Sequence, residues 1–365
     1  MTTSTTPFAI LVELDGAGAH PASWRSAAHL PTELLSAGRT AATVRSAERS
    51  GFTAATFEDS PLPPGPSAGG RGVIGRIEAV QRAAFAAPLT SSLGLIPVAH
   101  AVYGEPFHLS TQLATVDHVS AGRAGWLVGI DADAAIAAAY GRAAVSAERA
   151  IADAADTVEV SRRLWDSWED EAVIRERATG RYFDRERVHY ADFEGESFSI
   201  SGPAIVPRPP QGQVVVFADG LAAARVGADV ALLASIDQVS TAPRAVLELE
   251  VVLDAAGVSA AERLAALDGY DLWAPTQRRR FVGTSGELVA LLAELATHDR
   301  VDGVRLIPAV LDVDLDEIGR AVLPELRRRG LFRSPTPGQT LQESLGLARP
   351  ANRFAQTEDL EGARA

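Results

Sequence analysis

Cysteine is absent from this chain of 365 residues. The absence excludes disulfides, thiolate metal sites and cysteine nucleophiles. Basic residues are in the minority, because 34 Lys and Arg stand against 47 Asp and Glu and give a net charge of −13. No basic stripe offsets this balance, so nucleic acid is not an expected partner. Metal-ligand spacings such as H-x-x-x-H are also missing, so no metal site is predicted.

Long apolar runs are missing as well. The sequence holds no apolar stretch of about 20 residues, the length that spans a bilayer. Residues 1–14 have no basic region ahead of a short apolar run, so no signal peptide is predicted. Hydrophobic residues nevertheless make up 47% of the chain, enough to bury a sizeable core. We therefore expect a soluble cytoplasmic protein that does not bind membranes.

What is present is an alternation of strand-like and helix-like segments. Eight apolar runs have the length and composition of buried strands, namely 8–14, 52–59, 89–99, 125–130, 213–219, 229–235, 245–254 and 303–310. Helical spacing lies between most of them, at 32–51, 76–87, 105–120, 142–168, 285–299 and 315–330. This order predicts a (β/α)₈ TIM barrel. An open doubly wound sheet is the alternative, but no G-x-G-x-x-G follows the first strand.

Two segments interrupt the alternation. Residues 60–72 contain too many prolines and glycines for regular structure and are expected to form a loop. Residues 180–212 combine alternating aromatics, glycine turns and a proline cluster, which predicts an inserted hairpin rather than a barrel strand. We expect a single α/β barrel domain over residues 1–365, with this insertion and a C-terminal extension at 331–365 packed on its outside.

Three stretches resemble the bacterial luciferase-like monooxygenases. The first is "EPFHLSTQLATVDHVSAGRAGW" (105–126), which is similar to a helix and the following strand of that family. The second joins "RRLWDSWEDEA" (162–172) to the aromatic and proline-rich segment 180–212. The third is the tail, 323–354. The last two are similar to the branch that contains the nitrilotriacetate, alkane and dibenzothiophene-sulfone monooxygenases.

The resemblance implies a TIM barrel that receives reduced FMN from a separate flavin reductase. With O₂, the bound flavin would then oxygenate a small organic substrate. Barrels of this kind carry their sites at the C-terminal ends of the strands. Members of the family commonly associate through helices, so a homodimer, or a heterodimer with a homologue, is expected.

The resemblance also implies which residues face the flavin. Asp59 follows the second strand and matches a family aspartate beside the flavin, although an aspartate before a Ser-Pro loop also commonly caps a turn. His100 follows the third strand, where relatives carry a small hydroxyl residue, and it either hydrogen-bonds the flavin or is structural. Gly220 remains at the helix start that cradles the FMN phosphate in relatives.

Arg149 is a fourth expected cofactor contact. Relatives carry an Arg-Tyr pair in the helix after the fourth strand, and the matching positions here are Ala150 and Ile151. Arg149 is one position away, about 100° around a helix, so it reaches the flavin only if the helix rotates. His20 and Trp24 match a His and Trp-Arg element that faces the substrate in relatives. A loop histidine with satisfied hydrogen bonds and a packing tryptophan are the structural alternatives.

This chain departs from the family pattern where relatives hold the ribityl chain and phosphate. Relatives follow the fourth-strand tryptophan with an Asn and then two hydroxyl residues, whereas this chain has Leu127, Ile130 and Asp131 there. Leu and Ile cannot hydrogen-bond these oxygens, and Asp131 would repel a phosphate. Asp219 likewise stands where the anion would approach. Such losses at one site indicate altered or abandoned flavin binding.

Two functional hypotheses follow. The first is an FMNH₂-dependent monooxygenase with atypical flavin contacts, acting on a small organic substrate. The alternative is a flavin-free, non-catalytic paralogue that serves as a binding or subunit partner. A deazaflavin (F420) enzyme is a third possibility, but F420 also needs phosphate contacts and gains nothing from these replacements.

Overall fold

The computed structural model describes residues 8–62 and 75–355. Its strands are β1 (Ala9–Glu13), β2 (Ala54–Phe57), β3 (Gly94–His100), β4 (Gly125–Gly129), β5 (Val173–Glu176), β6 (Arg181–Phe183), β7 (Phe193–Glu194), β8 (Ser199–Ile200), β9 (Val215–Asp219), β10 (Val230–Leu233), β11 (Arg244–Leu253), β12 (Arg279–Gly283) and β13 (Gly303–Pro308). Its α-helices are α1 (Ala37–Ser50), α2 (Ala79–Ala86), α3 (Pro106–Ser120), α4 (Ala134–Ala139), α5 (Ala147–Asp166), α6 (Gly220–Val226), α7 (Ala260–Asp268), α8 (Ser285–Leu295), α9 (Leu311–Glu317), α10 (Leu323–Arg328) and α11 (Leu341–Ser344).

The predicted TIM barrel is confirmed. Among the described residues, eight parallel strands follow the order β10-β9-β4-β3-β2-β1-β13-β11, and pairing of β10 with β11 closes the ring. Each of the eight apolar runs identified in the sequence overlaps one of these strands. Each strand of a barrel is buried on both faces, because one face lines the barrel interior and the other packs against the helices. Its sequence is therefore a nearly continuous apolar run.

Strand β12 was not predicted, and it changes the upper part of the barrel. One edge of β11 pairs with β13 through Val246–Val251. The other edge is shared, because β10 pairs with residues 244–247 and β12 with residues 249–253. The described part of the barrel is therefore eight strands wide at its base and nine at its C-terminal rim. The segment escaped notice because its first residues, Arg279 and Arg280, are charged.

The barrel interior is apolar in its lower and middle layers. The side chains that fill it form one buried cluster: Ala9, Leu11, Ala54, Ile96, Val98, Leu127, Val215, Phe217, Val230, Leu232, Val246, Leu341 and Leu345. The last two come from α11 and the residue after it, and the Leu341 N–H donates to Gly122 O (2.9 Å). The C-terminal extension thus closes the base of the barrel. The expected packing on the outside of the barrel does not hold for α11, because leucines four residues apart share one helix face and enter the interior together.

The turn before β4 is held by a buried arginine. Ala121 and Gly122 both adopt positive φ, which ends α3 abruptly and sends the chain into the strand. Arg123 is buried there, and its guanidinium donates to the carbonyls of Leu93, Ala87 and Thr90 and to the Thr90 hydroxyl. These bonds tie the start of β4 to the turn that precedes β3.

The insertion consists of two small antiparallel pairs, β5 with β6 and β7 with β8. It begins earlier than the predicted 180–212, and residues 201–212 form no strand. The long helix expected at 142–168 begins later, at Ala147, where Ser146 accepts from the Arg149 N–H as N-cap. The helix expected at 315–330 is α9, a π-helical turn (Ile318–Val322) and α10. No helix in the described ranges is long and apolar enough to cross a membrane.

Gly303→Ala will destabilise the barrel, because a Cβ at this position would lie 2.8 Å from the Cβ of Ala9 on the neighbouring strand. Overpacking of this kind costs about 1–3 kcal/mol of unfolding free energy. Gly286→Ala is the matched control, since among the described residues a Cβ there meets only the Thr284 hydroxyl within 4 Å, at 3.8 Å. Urea denaturation should show a lower unfolding free energy for Gly303→Ala and no decrease for Gly286→Ala. Equal denaturation midpoints for the two variants would contradict the packing argument.

Candidate active site

Two cavities open at the C-terminal end of the barrel. The mouth cavity lies at the ends of β2 and β3 and has a volume of about 470 Å³. The β1 cavity lies beside it, at the end of β1, with a volume of about 380 Å³. Gly75 and Arg76 line both. Volumes of this size suit small-molecule ligands.

Asp59 and His100, predicted as cofactor contacts, both line the mouth cavity. Asp59 also caps the start of α2, since its two carboxylate oxygens accept from the N–H groups of Ser60 (2.8 Å) and Ala79 (2.8 Å). The helix-capping role considered for this residue is thus present together with its place on the cavity wall.

His100 forms a pair with Asp131. The imidazole Nδ1 and the carboxylate Oδ2 are 2.5 Å apart. The ring packs against Gly129, where a Cβ would lie 2.5 Å from Nδ1, so the glycine makes room for it. The other ring nitrogen, Nε2, is buried and has no hydrogen-bond partner among the described residues. Sequence reasoning missed the pair, although the ends of β3 and β4 are neighbours in any barrel of this order.

The predicted phosphate end of the site is already occupied by side chains of the protein. Asp219 caps α6 by accepting from the Leu221 N–H (2.9 Å). A Cβ on Gly220 would lie 2.9 Å from Leu233 Cδ2 and 3.1 Å from Leu232 O, so packing against β10 explains this glycine. Leu127 is buried in the barrel interior. These residues do not fit the phosphate of FMN, because a carboxylate occupies the helix N-terminus where an anion would bind.

The Arg149 side chain forms its contacts with α5 and the β7–β8 hairpin. Its guanidinium contacts Asp153 (2.8 Å), the Ser197 hydroxyl (2.6 Å) and Glu196. Hydrogen bonds to Glu196 and Asp153 raise the pKa of Arg149 above the usual value for arginine. The side chain therefore joins α5 to the β7–β8 hairpin instead of reaching the mouth cavity.

His20 and Trp24 both lie at the β1 cavity, in different surroundings. The His20 side chain has no exposed surface. Its Nδ1 accepts from the Ala22 N–H (3.0 Å) and its Nε2 donates to Asp268 (3.1 Å). Burial lowers the pKa of His20, which keeps the ring neutral. Trp24 is only partly buried, so its side chain, unlike that of His20, has exposed surface for contact with a ligand.

A charged network fills the upper barrel interior, and sequence reasoning did not identify it. Arg305 on β13 is buried and contacts Glu13 (2.7 Å), Glu248 (2.5 Å) and Glu58. Strand β12 and the residue before it add two more arginines, since Arg278 pairs with Glu248 (2.8 Å) and Arg280 with Glu250 (2.8 Å). The signal in the sequence was a charged residue within an otherwise apolar strand. Because strand side chains alternate between the two faces, its position places the side chain in the barrel interior.

Glu13→Gln will reduce the pH dependence of stability. Three carboxylates (Glu13, Glu58, Glu248) face two guanidinium groups (Arg305, Arg278), and burial raises the pKa of Glu13 from 4.5 to about 8. The folded state therefore keeps a proton that the unfolded chain releases, so the unfolding free energy falls as pH rises from about 4.5 to about 8. Gln carries no titrating proton in either state. Denaturant titrations across this window test the idea, and an unchanged slope in the variant would refute it.

Comparison with known proteins gives a consistent result. The family model described as "Luciferase-like monooxygenase" matches residues 19–296. N-acetyl-S-(2-succino)cysteine monooxygenase of Bacillus subtilis is 27% identical over 443 aligned positions, covering 98% of this chain and all of the relative. Nitrilotriacetate monooxygenase component A of Aminobacter aminovorans is 27% identical over 74% of this chain and 79% of its own. A riboflavin lyase structure with modified FMN and riboflavin superposes with a TM-score of 0.80, at 21% identity, over 95% of this chain and 97% of that one. The family resemblance seen in the sequence is confirmed.

Proposed function

Because this chain belongs to the luciferase-like monooxygenase family, we propose that it oxygenates a small organic substrate at the mouth cavity. Reduced FMN from a separate flavin reductase is the proposed cofactor. The observation that carries the proposal is the position of this cavity, at the C-terminal ends of barrel strands, in a chain matched by the family model over residues 19–296. When bound, a reduced flavin would supply the reaction with O₂.

The flavin contacts proposed for this chain are atypical. Asp59 and His100 are the proposed contacts of the ring, since both line the cavity. The phosphate has no matching cradle at α6, where Asp219 caps the helix. We therefore propose that binding depends mainly on the ring system and that the phosphate contributes little.

The experiment is turnover under ¹⁸O₂. The purified chain is mixed with a flavin reductase, NADH, FMN and the substrates named for its relatives, N-acetyl-S-(2-succino)cysteine and nitrilotriacetate, together with a set of small amines. We expect one ¹⁸O atom in the product of at least one substrate, detected by mass spectrometry. Reductase alone is the control for free peroxide. No incorporation above this control with any substrate would reject the proposal.

A second candidate function is a flavin-free subunit partner. The occupied α6 terminus favours it, as does the commitment of Arg149 to the β7–β8 hairpin. In this case the chain would form a heterodimer with a catalytic homologue, whereas the first function is compatible with a homodimer. Light scattering of the chain, alone and mixed with a homologue encoded nearby, separates the two. A monomer in both samples would count against either assembly.

A further inference from the structure

The β1 cavity is lined by two arginines that share one carboxylate. Arg76 Nη2 donates to one oxygen of Asp15 (2.8 Å), and Arg82 Nη1 donates to the other (3.0 Å). Arg82 is nine-tenths buried, whereas the Arg76 side chain is 24% exposed. A guanidinium has five N–H donors, and Asp15 is the one described residue that accepts from Arg76. Arg76 therefore keeps accessible donors that no described residue uses.

The other titratable groups of this cavity add no second negative charge near neutral pH. His20 is neutral, because burial lowers its pKa. Glu13 belongs to the charged network of the barrel interior, in which three carboxylates face two guanidinium groups. Burial raises the pKa of Glu13 to about 8, so this carboxyl group keeps its proton. The described lining thus has two positive charges and one negative charge, and an anion would complete the pairing.

The carboxylates of the neighbouring mouth cavity do not supply the missing charge. Asp59, Glu78 and Glu105 line that cavity, and each accepts from backbone N–H groups next to a helix start. None of the three forms an ion pair with an arginine of the described ranges. Because they repel an anion on their own side of Arg76, an anionic ligand is favoured on the side of the β1 cavity.

Much of the remaining wall of the β1 cavity is apolar. Its large apolar side chains are Pro21, Trp24, Leu34, Leu35 and Ile77. Trp24 is partly buried and Leu35 is exposed, so both have surface for contact with a ligand. Pockets with apolar walls and a few polar groups bind small molecules, and the polar groups fix the orientation of the ligand. This wall and its cation together favour a ligand with a carboxylate and an apolar body.

We propose that the β1 cavity binds a small organic carboxylate, with its carboxylate on Arg76 and its apolar body against Trp24 and Leu35. A planar carboxylate matches the fork of N–H donors on a guanidinium. The binding site itself requires no cofactor. A role for the carboxylate as the anchor of a substrate rests on the proposed monooxygenase function. Gly75 and Arg76 line both cavities, so a ligand anchored here lies next to the mouth cavity.

The test uses 4-fluorobenzoate, with 4-fluorobenzamide and 4-fluorobenzylamine as neutral and cationic probes of similar shape. Calorimetry of the full-length chain at pH 7, without flavin or O₂, gives the three dissociation constants. We expect the carboxylate to bind at least about tenfold more tightly than either of the other probes. Equal or tighter binding of the amide or the amine, or no binding of the carboxylate, would overturn the proposal.

Two arginine variants locate the carboxylate of the probe. Arg76→Gln should weaken binding of 4-fluorobenzoate by about tenfold and leave binding of the amide unchanged, because the amide has no charge to pair. Arg142→Gln is the matched control, since Arg142 is an exposed arginine that lines a different cavity. It should change neither constant. Equal losses in the two variants would mean that overall charge holds the probe, which contradicts the proposal.

The ¹⁹F chemical shift of the bound probe locates its apolar body. In Trp24→Leu the shift should differ from that in the unmodified chain, because the ring current of the indole is lost. An unchanged shift would place the probe elsewhere and overturn the assignment. This readout does not depend on Arg76→Gln, so the proposal stays testable if that variant does not fold.

The pH dependence of binding gives an independent readout. Charged groups face Glu13 from five parts of the chain: Asp15 after β1, Glu58 after β2, Glu248 on β11, Arg278 before β12 and Arg305 on β13. Between pH 7 and pH 9 Glu13 loses its proton and becomes a second negative charge in the cavity, so 4-fluorobenzoate should bind about tenfold more weakly.

Glu13→Gln should abolish this decrease, since glutamine stays neutral across the range. An equal decrease in the variant would contradict the charge balance from which the site is inferred. No measurement in this series uses flavin or O₂, so failure here and failure of the ¹⁸O₂ experiment are separate results.

Discussion

FMN will bind to this chain no more tightly than riboflavin, which lacks the phosphate. In a typical phosphate site, two or three hydrogen bonds to a charged group contribute about 1.5–3 kcal/mol each. Here Asp219 caps α6 and Leu127 is buried in the barrel interior, so neither residue donates a hydrogen bond to a phosphate. Their loss weakens binding by a few orders of magnitude relative to such a site.

The measurement is anaerobic titration with photoreduced FMN and riboflavin, followed by calorimetry. Asp219→Ser is the informative variant, because serine still caps the helix while the negative charge disappears. We expect it to raise the FMN affinity by about tenfold through relief of charge repulsion, with riboflavin unaffected as the matched ligand. Low-micromolar FMN binding by the unmodified chain, far tighter than riboflavin, would show that the phosphate has a site after all.

Arg305→Leu will lower the unfolding free energy by about 3–5 kcal/mol, the usual result of removing one partner from a buried ion pair. Arg305 is almost fully buried, and its loss leaves the Glu58 carboxylate without its cation inside the barrel, whereas Glu13, whose pKa burial raises to about 8, loses a hydrogen-bond partner. Glu248 keeps Arg278 and is affected less. The defect should shrink in acid, where the carboxylates take up protons.

Denaturant melts of the variant at neutral and acidic pH test this expectation. Arg320→Leu is the control, since Arg320 forms an exposed pair with Glu317 within one helical turn. Its midpoint should match that of the unmodified chain, as most exposed pairs contribute little. A neutral-pH midpoint for Arg305→Leu equal to this control would mean that the network is not needed for the fold.

The barrel was predictable because its strands are short apolar runs separated by helices. Strand β12 was not predictable in this way, since it begins with Arg279 and Arg280. Charged residues at the start of an edge strand give its sequence the composition of a loop. In the structure Arg280 is paired with Glu250. Helix α11, which closes the base of the barrel, was also missed, because one turn of helix has no recognisable period.

A residue's position along a strand fixes which end of the barrel it reaches. Asp59 lies just after β2 and His100 ends β3, and both line the same cavity, while their contact with a flavin stays a prediction. The partner of His100 is 31 residues further along the chain, and the sequence alone gives no sign of which polar group meets it. Arg149 could not be placed because its partner Glu196 lies in the insertion, whose path over α5 depends on tertiary packing.

The shared edge of β11 gives the barrel a taper. With β10 on its lower half and β12 on its upper half, the described wall gains one strand between base and rim. Adjacent strands are about 4.8 Å apart, so the inner perimeter widens by roughly that amount on one side only. The described wall is thus wider at its rim than at its base on the side of Arg278 and Arg280. Removing the C-terminal residues of β11 would leave β12 without the strand with which it pairs. The described wall would then have eight strands at its rim as well as at its base.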